Sequence, residues 1–189
     1  VPDPRQIVVV DVETSGLDPA QHIAVEVAWV NLATGEHDVF VPPHNWRDVL
    51  VTADLRALRI NGYLDRLVEA EQDRHGQAAR ALWDQLDGNT LAGCNPSFDA
   101  VFLRKMFDTV YDLDDHNIDG PPTWHHRLLD LSAYAAGALG IEPHELPGLS
   151  TVCERLGVEH PDAHTAFGDA DATYACFLKL LDMQVVGRA

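Results

Sequence analysis

Residues 7–18, IVVVDVETSGLD, begin with four β-branched side chains in a row and then carry Asp11 and Glu13 toward a Gly-Leu turn. An unbroken β-branched run belongs to a strand covered on both faces, so residues 7–10 predict the central strand of a sheet. Asp11 and Glu13 are two apart on that strand, so their side chains leave the same face, with Cα atoms roughly 6.6–7 Å apart. Two carboxylates placed this way can converge on one cation; uncompensated, they repel and raise each other's pKa. Two solvated acids at a strand end are the bland alternative, and the apolar run just before them argues against free solvation.

Working outward, residues 22–31 (HIAVEVAWVN) and 37–41 (HDVFV) predict two further strands joined by the turn-forming Ala33-Thr34-Gly35-Glu36. An antiparallel meander beside the first strand is the economical arrangement, ended by Pro42-Pro43. From about residue 48 to 86 the spacing becomes helical, with an apolar stripe of Leu55, Leu58, Leu64, Leu67, Ala78, Leu82 and Leu86 broken at Asn61-Gly62 and at Gly76. Residues 90–94 return to strand character. Asn95-Pro96 then opens a helix to about Val110, with Asn as N-cap and Pro at the first helical position. The Asp-rich stretch through Pro121-Pro122 predicts a loop, and residues 128–139 a short strand or turn followed by a helix. Ser150 is the expected N-cap of a helix over 151–156 stopped by Gly157, and a last helix starts within 162–165 and reaches Leu181.

Asp99 falls in the first turn of the helix opened by Asn95-Pro96, where the helix dipole favours an acid. Its interest lies in the preceding strand, 90–94, which can lie beside the first one and bring Asp99 to the same sheet edge. His164 and Asp169 are five apart, about one and a half helical turns, and cannot share a helical face. The spacing works if His164 sits at the helix entrance while Asp169 lies inside the helix and faces the sheet. Asp171, turned about 200° from Asp169, is a surface acid. His160 and His164 have the spacing of a zinc pair, but Pro161 opposes one continuous helix through both and no third ligand is evident.

Asp11, Glu13, Asp99 and Asp169 therefore form an oxygen-donor set suited to magnesium. Two such cations, roughly 3.5–4 Å apart, would stabilise the attacking and leaving oxygens of an in-line phosphodiester displacement. An imidazole, with an ordinary pKa of ~6.5, would take the proton of the attacking water at His164.

Composition sets bounds on this chemistry. The 189 residues fit one domain, 1–189, whose 46% apolar content can bury a core without disulfides. Cys94, Cys153 and Cys176 are scattered, with no CxxC pair, and are expected as small buried hydrophobes. No apolar run approaches the ~20 residues of a membrane span, and VPDPRQIVVV lacks the pattern of a secretory signal, so the expectation is a soluble, cytoplasmic protein without membrane contact. The formal charge of −17 excludes gripping a duplex by bulk charge. Two readings fit this charge: a protein that never meets nucleic acid, or an enzyme that engages only a strand end and lets bound cations supply the positive charge. The acids are uneven: residues 108–119 hold five Asp and no Lys or Arg, whereas residues 47–66 hold four Arg against three Asp.

The runs Asp11-x-Glu-Thr-x-Gly-Leu17, Asn95-x-x-Phe-Asp99 and His164-x-Ala-x-x-Asp169 resemble, in order and spacing, the three motifs of the DEDDh group of DnaQ-like 3′-to-5′ exonucleases, and they span almost the whole chain. The resemblance implies an α/β, RNase H-like fold with a mixed five-stranded sheet, two Mg2+ or Mn2+ ions per site, and release of nucleoside 5′-monophosphates from a 3′ end. It implies Asp11, Glu13 and Asp169 around the first metal, Asp11 and Asp99 at the second, and His164 as the base. Thr14, Ser15 and Leu17 correspond to the segment that contacts or wedges the terminal nucleotide; Asn95 and Phe98 would line the scissile strand. The sibling group with a tyrosine base is disfavoured, because Thr165 stands where its tyrosine would fall. The expected substrate is a nucleic acid 3′ end, single-stranded DNA ahead of RNA, with a polymerase or a second copy of the chain as partner. The alternatives are an RNA trimmer or oligoribonuclease, a hydrolase of a small phosphorylated metabolite, and a catalytically inactive nucleic-acid-binding module. All five site positions are filled, which speaks against the last.

Overall fold

The computed structural model describes residues 4–66, 75–113 and 121–186. Its centre is a five-stranded mixed sheet in the order β3-β2-β1-β4-β5. The β-branched run is β1 (Ile7–Thr14), and it lies in the middle. On one side it pairs antiparallel with β2 (Ala24–Asn31), which pairs antiparallel with β3 (His37–Phe40), giving the expected meander. On the other side β1 pairs parallel with β4 (Thr90–Gly93), and β4 pairs parallel with the two-residue β5 (Leu129–Asp130).

Alternation along β1 sorts the two layers. Val8, Val10 and Val12 pack with Leu82 and Leu86 of α4 (His75–Leu86) and Phe102, Leu103 and Phe107 of α5 (Pro96–Leu113). Val9 packs on the opposite face, with Leu131 of α6 (Leu131–Leu139), Val152 of α7 (Leu149–Leu156) and Phe177 and Leu180 of α8 (Ala166–Val186). Asp11 and Glu13 share the parity of Val9, so the strand's period of two aims both acids at the layer that holds α8. Phe107 is fully buried; cutting such a side chain to Ala costs about 3–5 kcal/mol. Cys153 and Cys176 are buried, with sulfurs 3.7 Å apart as free thiols, while Cys94 is half-buried.

Several local expectations need correcting. The helical region before β4 is divided into α1 (Trp46–Thr52), α2 (Leu55–Ile60), α3 (Tyr63–Arg66) and α4. Asn61-Gly62 does break it, but Gly76 lies inside α4. The predicted stripe is only partly inward: Leu58, Ala78, Leu82 and Leu86 are buried, whereas Leu55 and Leu64 are exposed. Helical spacing shows which residues share a face and does not say whether anything covers it. Ser150 does not cap α7; Gly148 does, in extended conformation and without a side-chain bond, which puts Ser150 in the first turn. Gly157 ends α7 in the left-handed conformation, as expected. Leu67 and residues 114–119 of the Asp-rich loop lie outside the described residues. Among the described residues, no helix is long and apolar enough to cross a membrane.

Candidate active site

Three carboxylates meet where β1 faces α8. One carboxylate oxygen from each of Asp11, Glu13 and Asp169 lies within 4.8 Å of the other two. Asp99 arrives from the β4 side. β1 runs on to Thr14, past its last pairing with β4 at Val9, and there the Val12 amide donates to Asp99 Oδ1 at 3.0 Å. The first turn of α5 is thereby fixed to β1 one residue from both Asp11 and Glu13. Four acids separated by up to 158 positions in sequence, from Asp11 to Asp169, thus occupy one end of the central strand.

Crowding shows in their protonation. Burial, then the charges of Asp99, Asp169, Glu13 and Glu26, holds Asp11 well above the ordinary carboxylate range. Burial, with Asp169 and Glu26, pushes Glu13 up to about 7, although Arg66 and a hydrogen bond with Asn61 pull the other way. Asp99 is pushed up to about 8, chiefly by burial, against the backbone hydrogen bonds it accepts. These side chains gain little by ionising without a cation. An all-oxygen, carboxylate-rich donor set of this kind fits hard divalent ions such as Mg2+ or Mn2+.

His164 stands at the mouth of α8 with φ +67°, a left-handed conformation uncommon outside glycine and frequent at functional sites. Its side chain is exposed, and its amide donates to Asp169 Oδ1 at 3.1 Å. The turn before the helix closes through Thr165, whose hydroxyl donates to Asp162 O at 2.9 Å and accepts the Gly168 amide at 3.0 Å. Gly168 is required there, because a Cβ would sit 2.2 Å from Asp162 O.

A family match complements this geometry: an exonuclease model, RNase T, fits residues 8–177, which contain all of these groups. The chain belongs to the RNase T exonuclease family. It is 31% identical over 191 residues to a DNA polymerase III subunit epsilon-like protein of Rhodobacter capsulatus, covering 95% of this chain and 24% of that protein. It is 27% identical over 180 residues to a PolC-type DNA polymerase III of Thermotoga petrophila, covering 93% and 12%. The chain therefore spans a quarter or less of the length of these curated relatives. Among solved structures, a zinc-bound E. coli ExoI–ssDNA complex superposes with TM-score 0.67 at 22% identity, over 96% of this chain and 41% of that one. Exonuclease I from Methylocaldum szegediense gives 0.64 at 23%, over 94% and 40%. The fold is the RNase H-like fold of DEDDh-type exonucleases.

The residues expected to face a substrate are placed unequally. Leu17 is 77% exposed beside the site. Thr14 and Ser15 are buried, and their hydroxyls are engaged internally: Thr14 donates to Gly16 O at 2.9 Å, and Ser15 accepts the Ile23 amide at 3.0 Å. They shape the loop, which leaves Leu17 as its protruding side chain. Asn95 is exposed in a left-handed conformation, φ +66°, and accepts the Ser97 hydroxyl at 2.9 Å. Phe98 is half-buried against Phe102, with ring centroids 4.9 Å apart.

Sequence reasoning missed four polar residues around this carboxylate cluster. His160, considered only as a zinc ligand, has Nε2 2.6 Å from Asp169 Oδ1. Glu26, buried on β2 opposite Glu13, accepts both guanidinium nitrogens of Arg66 at 2.9 and 3.2 Å. Asn61 donates to Thr14 O at 3.1 Å. The one local signal was Glu26 itself, an acid in the interior of a strand whose other interior residues are apolar.

Proposed function

We propose that this exonuclease domain removes nucleoside 5′-monophosphates stepwise from the 3′ end of a nucleic acid strand, preferentially single-stranded DNA or a frayed end, with two Mg2+ or Mn2+ ions. The observation that carries the reading is the convergence of Asp11, Glu13 and Asp169 within 4.8 Å, with Asp99 fixed to the same strand. Asp11, Glu13 and Asp169 would hold one ion, and Asp11 with Asp99 the other. Bound there, the ions supply Lewis-acid stabilisation of the charge that develops on the phosphoryl oxygens.

The chain's own residues do the rest. His164, exposed at the helix mouth and tied by its backbone to Asp169, is the base that accepts the proton of the attacking water. Leu17 lies against the terminal nucleotide, and Asn95 and Phe98 flank the strand on the α5 side. Single-stranded DNA is favoured because the superposing ExoI structure is a complex with ssDNA. A polymerase is the favoured partner, because the sequence relatives are DNA polymerase III proteins.

Matched 5′-labelled DNA and RNA oligonucleotides incubated with Mg2+ or Mn2+ test the reading. A ladder shortening from the 3′ end, faster on DNA, is the expected result. Faster shortening of RNA would make the domain a ribonuclease of the same chemistry, and no shortening of either strand would defeat the proposal.

A further inference from the structure

Both ends of α2 are fastened over the end of β1. At its start the Asp54 amide donates to Ser15 O at 2.8 Å; at its finish the Asn61 side chain donates to Thr14 O at 3.1 Å. Thr14 and Ser15 directly follow Glu13, so the helix is held beside the carboxylate cluster. Leu58 is the side chain that α2 sends into the core. Leu55, Arg56, Arg59 and Ile60 remain outside, and Leu55 with Arg59 and Arg56 with Ile60 are each about one turn apart. Cationic and apolar side chains therefore interleave on one outward stripe. Leu55 is 59% and Ile60 57% exposed, and the helix contains no acid. Among the described residues, neither the Arg56 nor the Arg59 guanidinium meets a carboxylate. In a chain with 30 acids against 13 lysines and arginines, α2 thus places two cationic side chains on one short face that carries no acid.

We propose that the outward face of α2 is the track along which the substrate strand reaches the site. Arg56 and Arg59 bind phosphates upstream of the terminal nucleotide, and Leu55 and Ile60 support the sugars or bases between them. The inference rests on the exonuclease reading above. Charge complementarity selects the occupant: most of this acidic surface repels a polyanion, and α2 offers two uncompensated guanidinium groups next to the carboxylate cluster. The apolar partners select a single strand, since a duplex keeps its base faces stacked away from such side chains.

The test compares the parent, Arg56→Gln/Arg59→Gln and Arg56→Lys/Arg59→Lys on two substrates across a salt series. One substrate is a single-stranded oligonucleotide of about twelve nucleotides, within the span such grooves cover. The other is the p-nitrophenyl ester of thymidine 5′-monophosphate, too short to reach α2. For the glutamine pair, the ratio of oligonucleotide to ester kcat/KM should fall about tenfold, mainly through KM. The slope of log kcat/KM against log salt on the oligonucleotide should flatten by about 1.4, the value for two single-strand phosphate contacts at ~0.7 each. The lysine pair should restore the slope. An unchanged ratio and slope would overturn the track and leave this face to a protein partner. Equal losses on both substrates would also overturn it, by placing the arginines' effect at the cleavage site itself. If the parent cleaves neither substrate, the exonuclease reading fails first, and the track with it. Both positions are exposed, so the three proteins should melt at matching temperatures, which checks that all are folded.

Discussion

The Glu26 carboxylate on β2 accepts the amide of Ala166, the first residue of α8, at 2.9 Å, while Arg66 takes the same carboxylate from the other side. This one buried side chain joins the sheet to the helix that presents Asp169, and ties α3 to both. Glu26 sits opposite Glu13 in the β1–β2 register, so its own charge also contributes to keeping the Glu13 carboxyl protonated.

Replacing Glu26 with Ala leaves a buried amide and a partly buried guanidinium without their partner. Breaking a fully buried pair costs about 3–5 kcal/mol; Arg66 is about one-third exposed, so about 2 kcal/mol is expected here. Thermal melting should show a loss of roughly 4–8 °C for a chain of this size. Glu26→Gln keeps an acceptor for Ala166 and should lose about half as much. Equal melting of the alanine variant and the parent would remove Glu26 from this role.

Asp11→Asn should separate function from stability. It removes the carboxylate proposed to serve both ion positions, so cleavage should drop by about a thousandfold or more, as loss of several kcal/mol of charge stabilisation requires. It also removes the carboxyl that burial and four acidic neighbours hold well above its ordinary range. In EDTA the variant should therefore melt above the parent. A lower melting temperature, or retained activity in Mg2+, would contradict the assignment. Asp169→Ala should abolish cleavage as well.

The raised carboxyls give the metal-free protein a defined pH dependence. In the unfolded chain Glu13 and Asp99 lose their protons near pH 4, whereas in the fold they keep them up to about 7 and about 8. Across that window the folded state binds more protons, so stability falls as pH rises. Melting in EDTA should decline between about pH 5 and about pH 8. Mn2+ or Mg2+ should oppose the decline, because the ions bind the deprotonated groups, and their apparent affinity should increase over the same range. EDTA should also silence cleavage. A flat or rising stability profile in EDTA would show that the cluster does not hold its protons.

The two histidines at the start of α8 should respond differently. His164→Ala should lower kcat about 100-fold or more, the usual scale of a lost general base, while leaving Mn2+ affinity near that of the parent. His160→Ala, which removes the imidazole from Asp169 Oδ1 and leaves the His164 amide on that oxygen, should change the metal concentration needed for half-maximal activity by about tenfold, in keeping with the loss of an outer partner of a proposed metal ligand. Calorimetric Mn2+ titration beside single-turnover cleavage measures both quantities. Reversed behaviour of the two variants would exchange their roles.

The central strand, the meander and the shared face of Asp11 and Glu13 were legible in sequence, because a strand's period of two is a local property. The entry of α5 at Pro96 and the placement of Asp169 inside α8 were legible for the same reason. The exposure of Leu55 and Leu64 was not, since helical periodicity groups residues without saying which group is covered. His160 escaped because it reaches Asp169 through a proline-containing loop that breaks every regular spacing.

The sequence by itself determined the order of the strands along the chain, the kinds of donor available and the family to which they belong, since each follows from residue identity and short-range geometry. Only tertiary structure decided that Glu26 would reach across 140 positions to the start of α8, that Arg66 would be its counter-ion, and that α2 would keep two arginines facing outward beside the acids. Those relationships depend on how separate elements pack, and packing is set by the whole buried surface rather than by any local run of residues.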